Sequence, residues 1–255
     1  MTEVFAADWL ALRAPADDRA RDPGLVAALA DWARGRPIRI NDIGGGDGAT
    51  RRAIGGTLPG ARWLVVDADP ALLLHAAAAG AEISLVDLAA RPEAAFAGGP
   101  NLMTASAFFD LVSEDWIAAF AEGLATRRLP LYAALTYDGR ENWRPTPPHE
   151  AAAREAFRAD MRRDKGFGPA LGAAAHAMLA AALRARGYEV REAESDWRLE
   201  RGRDDALIAA LAEGGAEAPM VRAALSRSAL AEWRAGRGAA ETVLIGHRDL
   251  LALPR

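Results

Sequence analysis

The chain of 255 residues contains no cysteine, which excludes disulfide staples, thiolate metal centres and a cysteine nucleophile together. Lysine is nearly absent as well: among 31 basic residues only Lys165 is not an arginine. The abundance of Ala, Arg and Gly fits a GC-rich coding sequence, in which lysine codons are disfavoured. A lone lysine is then either incidental or present for its chemistry. No apolar run approaches the ~18 residues that suggest a membrane span. The first residues show no basic, apolar and small-residue succession of an export signal. A cytoplasmic protein with no membrane partner is expected. A basic excess is also missing, since the formal net charge is −4, so nucleic acid is not an expected partner. Neither repeats nor low-complexity linkers interrupt the chain.

What is present is a composition that is 51% hydrophobic and 26% charged, enough to bury the core of one large α/β domain. Residues 4–34 read as two helices broken near Pro15, the second capped by Asp17 or Asp18. Short β-branched or apolar runs at 37–43, 61–69, 81–89, 101–109 and 129–138 alternate with helical stretches. That alternation is the rhythm of a parallel sheet with helices on both faces. Residues 139–168 interrupt it for longer than an ordinary connection, with a helix expected near 149–163. A helix at 169–187, a strand over 188–199, helices at 203–214 and 219–236 and a last strand at 241–253 complete the pattern. The expected architecture is a Rossmann-like, doubly wound, seven-stranded sheet at 37–255 with an N-terminal helical cap at 1–36 and a lid-like insertion at 139–168.

The stretch INDIGGGDGAT (40–50) sits between the first strand and the first helix of that sheet. Glycines there permit a tight turn and a close approach of the backbone to a ligand. They satisfy both Gly44-x-Gly46-x-Gly48 and the looser dinucleotide pattern Gly44-x-Gly46-x-x-Ala49. Asp67 follows at the end of the second strand, where a ribose hydroxyl pair would be bound. The turn by itself leaves a nicotinamide cofactor open.

With Asp42 two residues before the first glycine, and with "VVDADP", "LVDLA" and "NLMTASAFFDLVS" at these intervals, the chain resembles the class I S-adenosylmethionine-dependent methyltransferases over roughly residues 37–253. The resemblance implies a mostly parallel sheet with an antiparallel last strand, and S-adenosyl-L-methionine as cofactor. Asp42, Gly44, Gly46 and Gly48 would lie against the amino acid moiety, Asp67 and Ala68 at the ribose, Asp87 and Leu88 at the adenine edge, and Thr104 and Ser106 on the fourth strand. The Asn-Pro-Pro-Tyr signature of amino-group methylation is replaced by "ASAFFD", which points away from a nucleobase acceptor. A small-molecule methyltransferase acting as a monomer or homodimer is expected. Its alternatives are a non-catalytic cofactor-binding regulator or partner subunit and an NAD(P)-dependent oxidoreductase.

Acceptor residues are sought at the C-terminal ends of the fourth and fifth strands. Asp110 and Tyr137 are the candidates there for proton handling, with Ser106 and Asp138 beside them, although Asp110 could equally cap the following helix. In the insertion, Trp143 offers a stacking platform. Lys165, beside a helix expected to start at Pro169, offers a contact for an anionic group, with Phe167 packing on the apolar part of the acceptor. Arg13, Asp17 and Arg21 on the cap would face the cofactor or acceptor, while Phe5, Trp9, Leu12, Leu25, Leu29 and Trp32 bury it. The four histidines and the other tryptophans read as structural, and Arg162 and Arg163 as a solvated helix face. No metal site is expected.

Overall fold

The computed structural model describes residues 7–255; Phe5 lies outside the described residues. Helix α1 (Ala7–Ala20) runs through Pro15 without a break, and α2 (Pro23–Ala33) follows. The break falls instead at Arg21 and Asp22. Pro23 suits a first helical turn, and the carboxylate of Asp22 accepts from the amide of Leu25 at 2.7 Å. Asp17 is therefore not a cap: it is buried inside α1.

Then come β1 (Arg39–Ile43), α3 (Ala49–Ile54), β2 (Arg62–Asp67), α4 (Pro70–Ala78), β3 (Glu82–Leu85), β4 (Leu102–Ser106), α5 (Glu114–Arg127) and β5 (Leu131–Arg144). The second half comprises α6 (Glu150–Met161), α7 (Ala175–Arg184), β6 (Tyr188–Glu194), β7 (Trp197–Glu200), α8 (Asp205–Glu217), α9 (Pro219–Ala224), α10 (Arg227–Gly238) and β8 (Thr242–Pro254). One sheet runs in the order β3-β2-β1-β4-β5-β8-β6, with β7 also paired to β8. Strands β1 to β5 are parallel, whereas β8 is antiparallel to β5, β6 and β7. The sheet has eight strands rather than seven because the stretch at 188–199 is interrupted at Ser195 and Asp196, so that β6 and β7 pair with successive parts of the long β8.

Both faces of the sheet are covered, which is why its central strands read as apolar throughout rather than alternating. Ile43, Val66, Met103 and Leu131 pack with Phe109, Trp116 and Phe120 on one face. Ile40, Leu102, Tyr132 and Leu251 pack with Leu25 and Leu29 of α2 on the other. Each such side chain contributes about 1.5–3 kcal/mol of burial. Among the described residues, no helix is long and apolar enough to cross a membrane.

Two features of the insertion differ from expectation. Residues 139–144 continue β5 through register shifts against β8, so Trp143 pairs with Val243 inside the sheet. The helix expected from Pro169 begins only at Ala175 after a 3-10 turn, and Pro169 instead bridges Asp164.

Helix α6 is held by a buried ion cluster. The guanidinium of Arg237 donates to Glu141 at 2.7 Å and to Glu150 at 2.7 and 3.1 Å. It lies between the rings of Trp143 and Trp233, 4.3 and 4.4 Å from their centroids. Trp233 Nε1 donates to Glu150 and Trp143 Nε1 to Glu141. Removing the cation would leave two buried carboxylates without a counter-charge. Arg237→Met is expected to cost about 3–5 kcal/mol of stability, read as a lowered denaturation midpoint with an unchanged slope.

Candidate functional site

At the C-terminal ends of β1, β2 and β4 a cavity opens beneath α1. The chain reverses after β1 through Gly44, Gly46 and Gly48, all at positive φ, a conformation that glycine adopts without the penalty other residues incur. A Cβ on Gly44 would stand 2.3 Å from the ring of Phe108, and one on Gly45 2.7 Å from Asp42 Oδ2. The turn is therefore as tight as the side chains around it allow. Its amides are used internally: Gly44 and Gly45 donate to Val66 O, Gly48 to Gly45 O, and Gly46 to Asp67 Oδ2 at 2.8 Å.

The structure brings Gly44, Gly46, Asp67, Ala68, Asp87, Leu88, Ser106 and Phe167 together around the cavity. Asp42 and Thr104 lie beneath it instead, bonded to each other at 2.7 Å and buried in the sheet. Gly48 is at the start of α3, behind the lining residues. Residues that sequence reasoning left out include Leu10, Asp69, Leu72 and, above all, Phe108. Phe108 covers Gly44 and stacks edge-on with Trp116 and Phe167, at 5.3 and 5.6 Å. The phenylalanine pair in "ASAFFD" was its only sequence signal.

The acceptor candidates fare differently. Tyr137 and Trp143 are not brought to the cavity: both are buried in the sheet around Glu141, to which the Tyr137 hydroxyl donates at 2.9 Å. Burial, reinforced by the negative charge of Glu141, pushes that hydroxyl well above the ordinary phenol range. Asp110 is buried in a 3-10 turn, and α5 is capped by Ser113. Lys165 does not line the cavity, and its ammonium is 4.0 Å from Asp160 Oδ2. The amides of Gly166 and Gly168 both donate to Asp164 Oδ1, so a carboxylate of the chain already occupies the place where an anion was expected. Phe167, carried on that turn, does reach the cavity.

The lining is acidic. Among the described residues, Asp17, Asp47, Asp67, Asp69 and Asp87 share the lining with a single cation, Arg13. Desolvation by burial raises the pKa of Asp67 despite amide bonds from Gly46 and Asp69. This acceptor set fits a cationic ligand with ribose hydroxyls: the remaining lone pairs of Asp67 and Asp87 accept, and the glycine amides of the turn are already bonded within the protein. Arg13 and Asp17 reach the cavity through α1, while Arg21 is buried beside it and donates to Ser106 at 3.0 Å.

No family model matches the chain, nor does any curated protein. Solved structures do match. A cyclopropane-fatty-acyl-phospholipid synthase-like protein from Lactobacillus casei is 13% identical with a TM-score of 0.54, covering 99% of this chain and 96% of that one. A cyclopropane synthase from Mycobacterium tuberculosis is 14% identical with a TM-score of 0.51, covering 97% and 94%. A SAM-dependent methyltransferase from Geobacter sulfurreducens, solved with S-adenosyl-L-homocysteine, is 16% identical with a TM-score of 0.47 over 100% of both chains. With the two cyclopropane synthase structures the chain shares a Rossmann-like α/β fold.

Below the turn, burial outweighs the bond from Thr104 and raises the pKa of Asp42 from 3.8 to about 6. Because the folded value lies above the unfolded one, the protonated acid favours the fold. That contribution is full below pH 3.8 and is lost as pH rises through about 6. Two units correspond to roughly 3 kcal/mol. The stability difference between Asp42→Asn and the parent protein is expected to grow in favour of the variant between pH 4 and 6 and then level off, as measured by urea titration across that range. A flat difference would contradict the buried-acid assignment.

Proposed function

We propose that the protein binds S-adenosyl-L-methionine in this cavity and transfers its methyl group to a small molecule. The observation that carries the reading is the charge of the lining: several aspartates and one arginine around a glycine turn whose own amides are already bonded. A dinucleotide would bring its pyrophosphate to that turn and meet the carboxylates of Asp47, Asp67 and Asp69 while the glycine amides are already engaged, at an electrostatic cost. A sulfonium with its ammonium group meets the opposite situation. The same observation disfavours the oxidoreductase reading.

When bound, the cofactor supplies an activated methyl group, and the protein's work is to position the acceptor and exclude water. In this reading Asp67 holds the ribose hydroxyls, Asp87 and Leu88 border the adenine, and Gly44 and Gly46 allow the close approach of the amino acid moiety. Helix α1 acts as the cap, with Leu10 near Gly46, and Phe108 with Phe167 forms an apolar wall on the acceptor side. An anionic acceptor would have to draw Lys165 away from Asp160, so that part of the reading rests on Lys165 alone. The bonded geometry of Tyr137 argues against its use as a base.

Two measurements test the proposal. S-adenosylhomocysteine is expected to raise the melting temperature, and NAD to leave it unchanged. Asp67→Ala is expected to weaken S-adenosylhomocysteine by about 10²-fold, since two charge-assisted hydrogen bonds at roughly 1.5–3 kcal/mol each are removed. Unchanged affinity by calorimetry would defeat the ribose assignment. Transfer of labelled methyl into a metabolite pool separates an enzyme from a non-catalytic binder.

A further inference from the structure

Among the described residues Arg13 is the only cation lining the cavity, and two contacts hold it there. Its Nε donates to Asp17 Oδ2 at 2.8 Å, and its guanidinium carbon lies 5.2 Å from the Trp197 ring centroid. Asp17 is fixed in turn by Trp197 Nε1, which donates to Oδ1 at 2.9 Å. Asp17 and Trp197 are both buried, so β7 sets the position of the α1 side chain. With Nε engaged, the two Nη groups remain, and among the described residues neither meets an acceptor.

The methionine part of the proposed cofactor carries one anionic group, its carboxylate. Around it the amides of Gly44, Gly45, Gly46 and Gly48 are bonded within the protein, and the other charged lining residues are aspartates. A carboxylate without a cationic partner would be repelled in such a site. Resting on the cofactor reading above, we infer that the Nη edge of Arg13 binds the α-carboxylate of S-adenosylmethionine. Helix α1 thereby recognises the amino acid end of the cofactor, while the sheet edge recognises its nucleoside end. Asp17 and Trp197 are positioning residues, acting through Arg13. A planar guanidinium can bond both carboxylate oxygens while its Nε stays on Asp17; an ammonium has no such fork.

The test compares S-adenosylhomocysteine with 5′-methylthioadenosine, which shares the nucleoside and thioether but has no amino acid, by calorimetry on the full chain. The parent protein is expected to prefer S-adenosylhomocysteine. Arg13→Met is expected to weaken S-adenosylhomocysteine by about 10- to 100-fold, the span of one charge-assisted contact, and to leave 5′-methylthioadenosine within about twofold of the parent affinity. Arg13→Lys should fall between, which also reads the contact should the methionine variant fold poorly. Equal losses for both ligands would show that Arg13 shapes the cavity rather than the carboxylate contact, and would overturn the inference. So would an undiminished preference in both variants, or a parent protein that binds the two ligands equally. If the parent binds neither, the cofactor reading itself fails and this inference with it.

Discussion

The bond from the Gly46 amide to Asp67 Oδ2 joins the two parts of the chain on which the cavity depends. It ties the turn after β1 to the end of β2, and the second oxygen of the same carboxylate accepts from the Asp69 amide. Asp69 in turn caps α4 through the amides of Ala71 and Leu72. One carboxylate therefore sets the turn, the strand end and the entry to the next helix. Because the turn spends its amides on this arrangement, the site is left with acceptors rather than donors. The described lining around it is accordingly acidic, with Asp47, Asp69 and Asp87 beside Asp67.

Buried charge recurs away from the cavity with a different purpose. Asp249, fully buried on β8, accepts from the amides of Asp22 and Leu135 and from the Tyr132 hydroxyl. It thus anchors the start of α2 and a residue of β5 that is held at positive φ. Arg237 does the same for α6 and β5 through Glu141 and Glu150. Such clusters add little net stability over an apolar core, but each is intolerant of losing one member. Their effect is positional: they seat α2 and α6 on the sheet, next to the α1 helix that carries Arg13 and the turn that carries Phe167.

The alternation of apolar runs with helical stretches was legible in the sequence, because a strand covered on both faces has to be apolar throughout. The glycine turn was legible for a related reason: few residues other than glycine reach positive φ at low cost. Asp67 and Asp87 could be placed at strand ends by spacing alone. The C-terminal boundaries were not legible, since the continuation of β5 through "GRENWR" depends on pairing with β8, roughly a hundred residues later. The same pairing withdrew Tyr137 and Trp143 from the site.

The sequence by itself determined the fold class, the glycine turn and the acidic strand ends, each of which follows from local conformational preference and the burial period of a short segment. Only the tertiary structure decided which polar groups were still available. Asp164 satisfies the amides near Lys165, Glu141 holds the Tyr137 hydroxyl, and Trp197 with Asp17 orients Arg13. Most of these partners are only two to four residues apart. Which of the nearby polar groups is engaged nevertheless depends on the backbone path and on packing against distant elements such as Trp197, and the local pattern does not encode that choice.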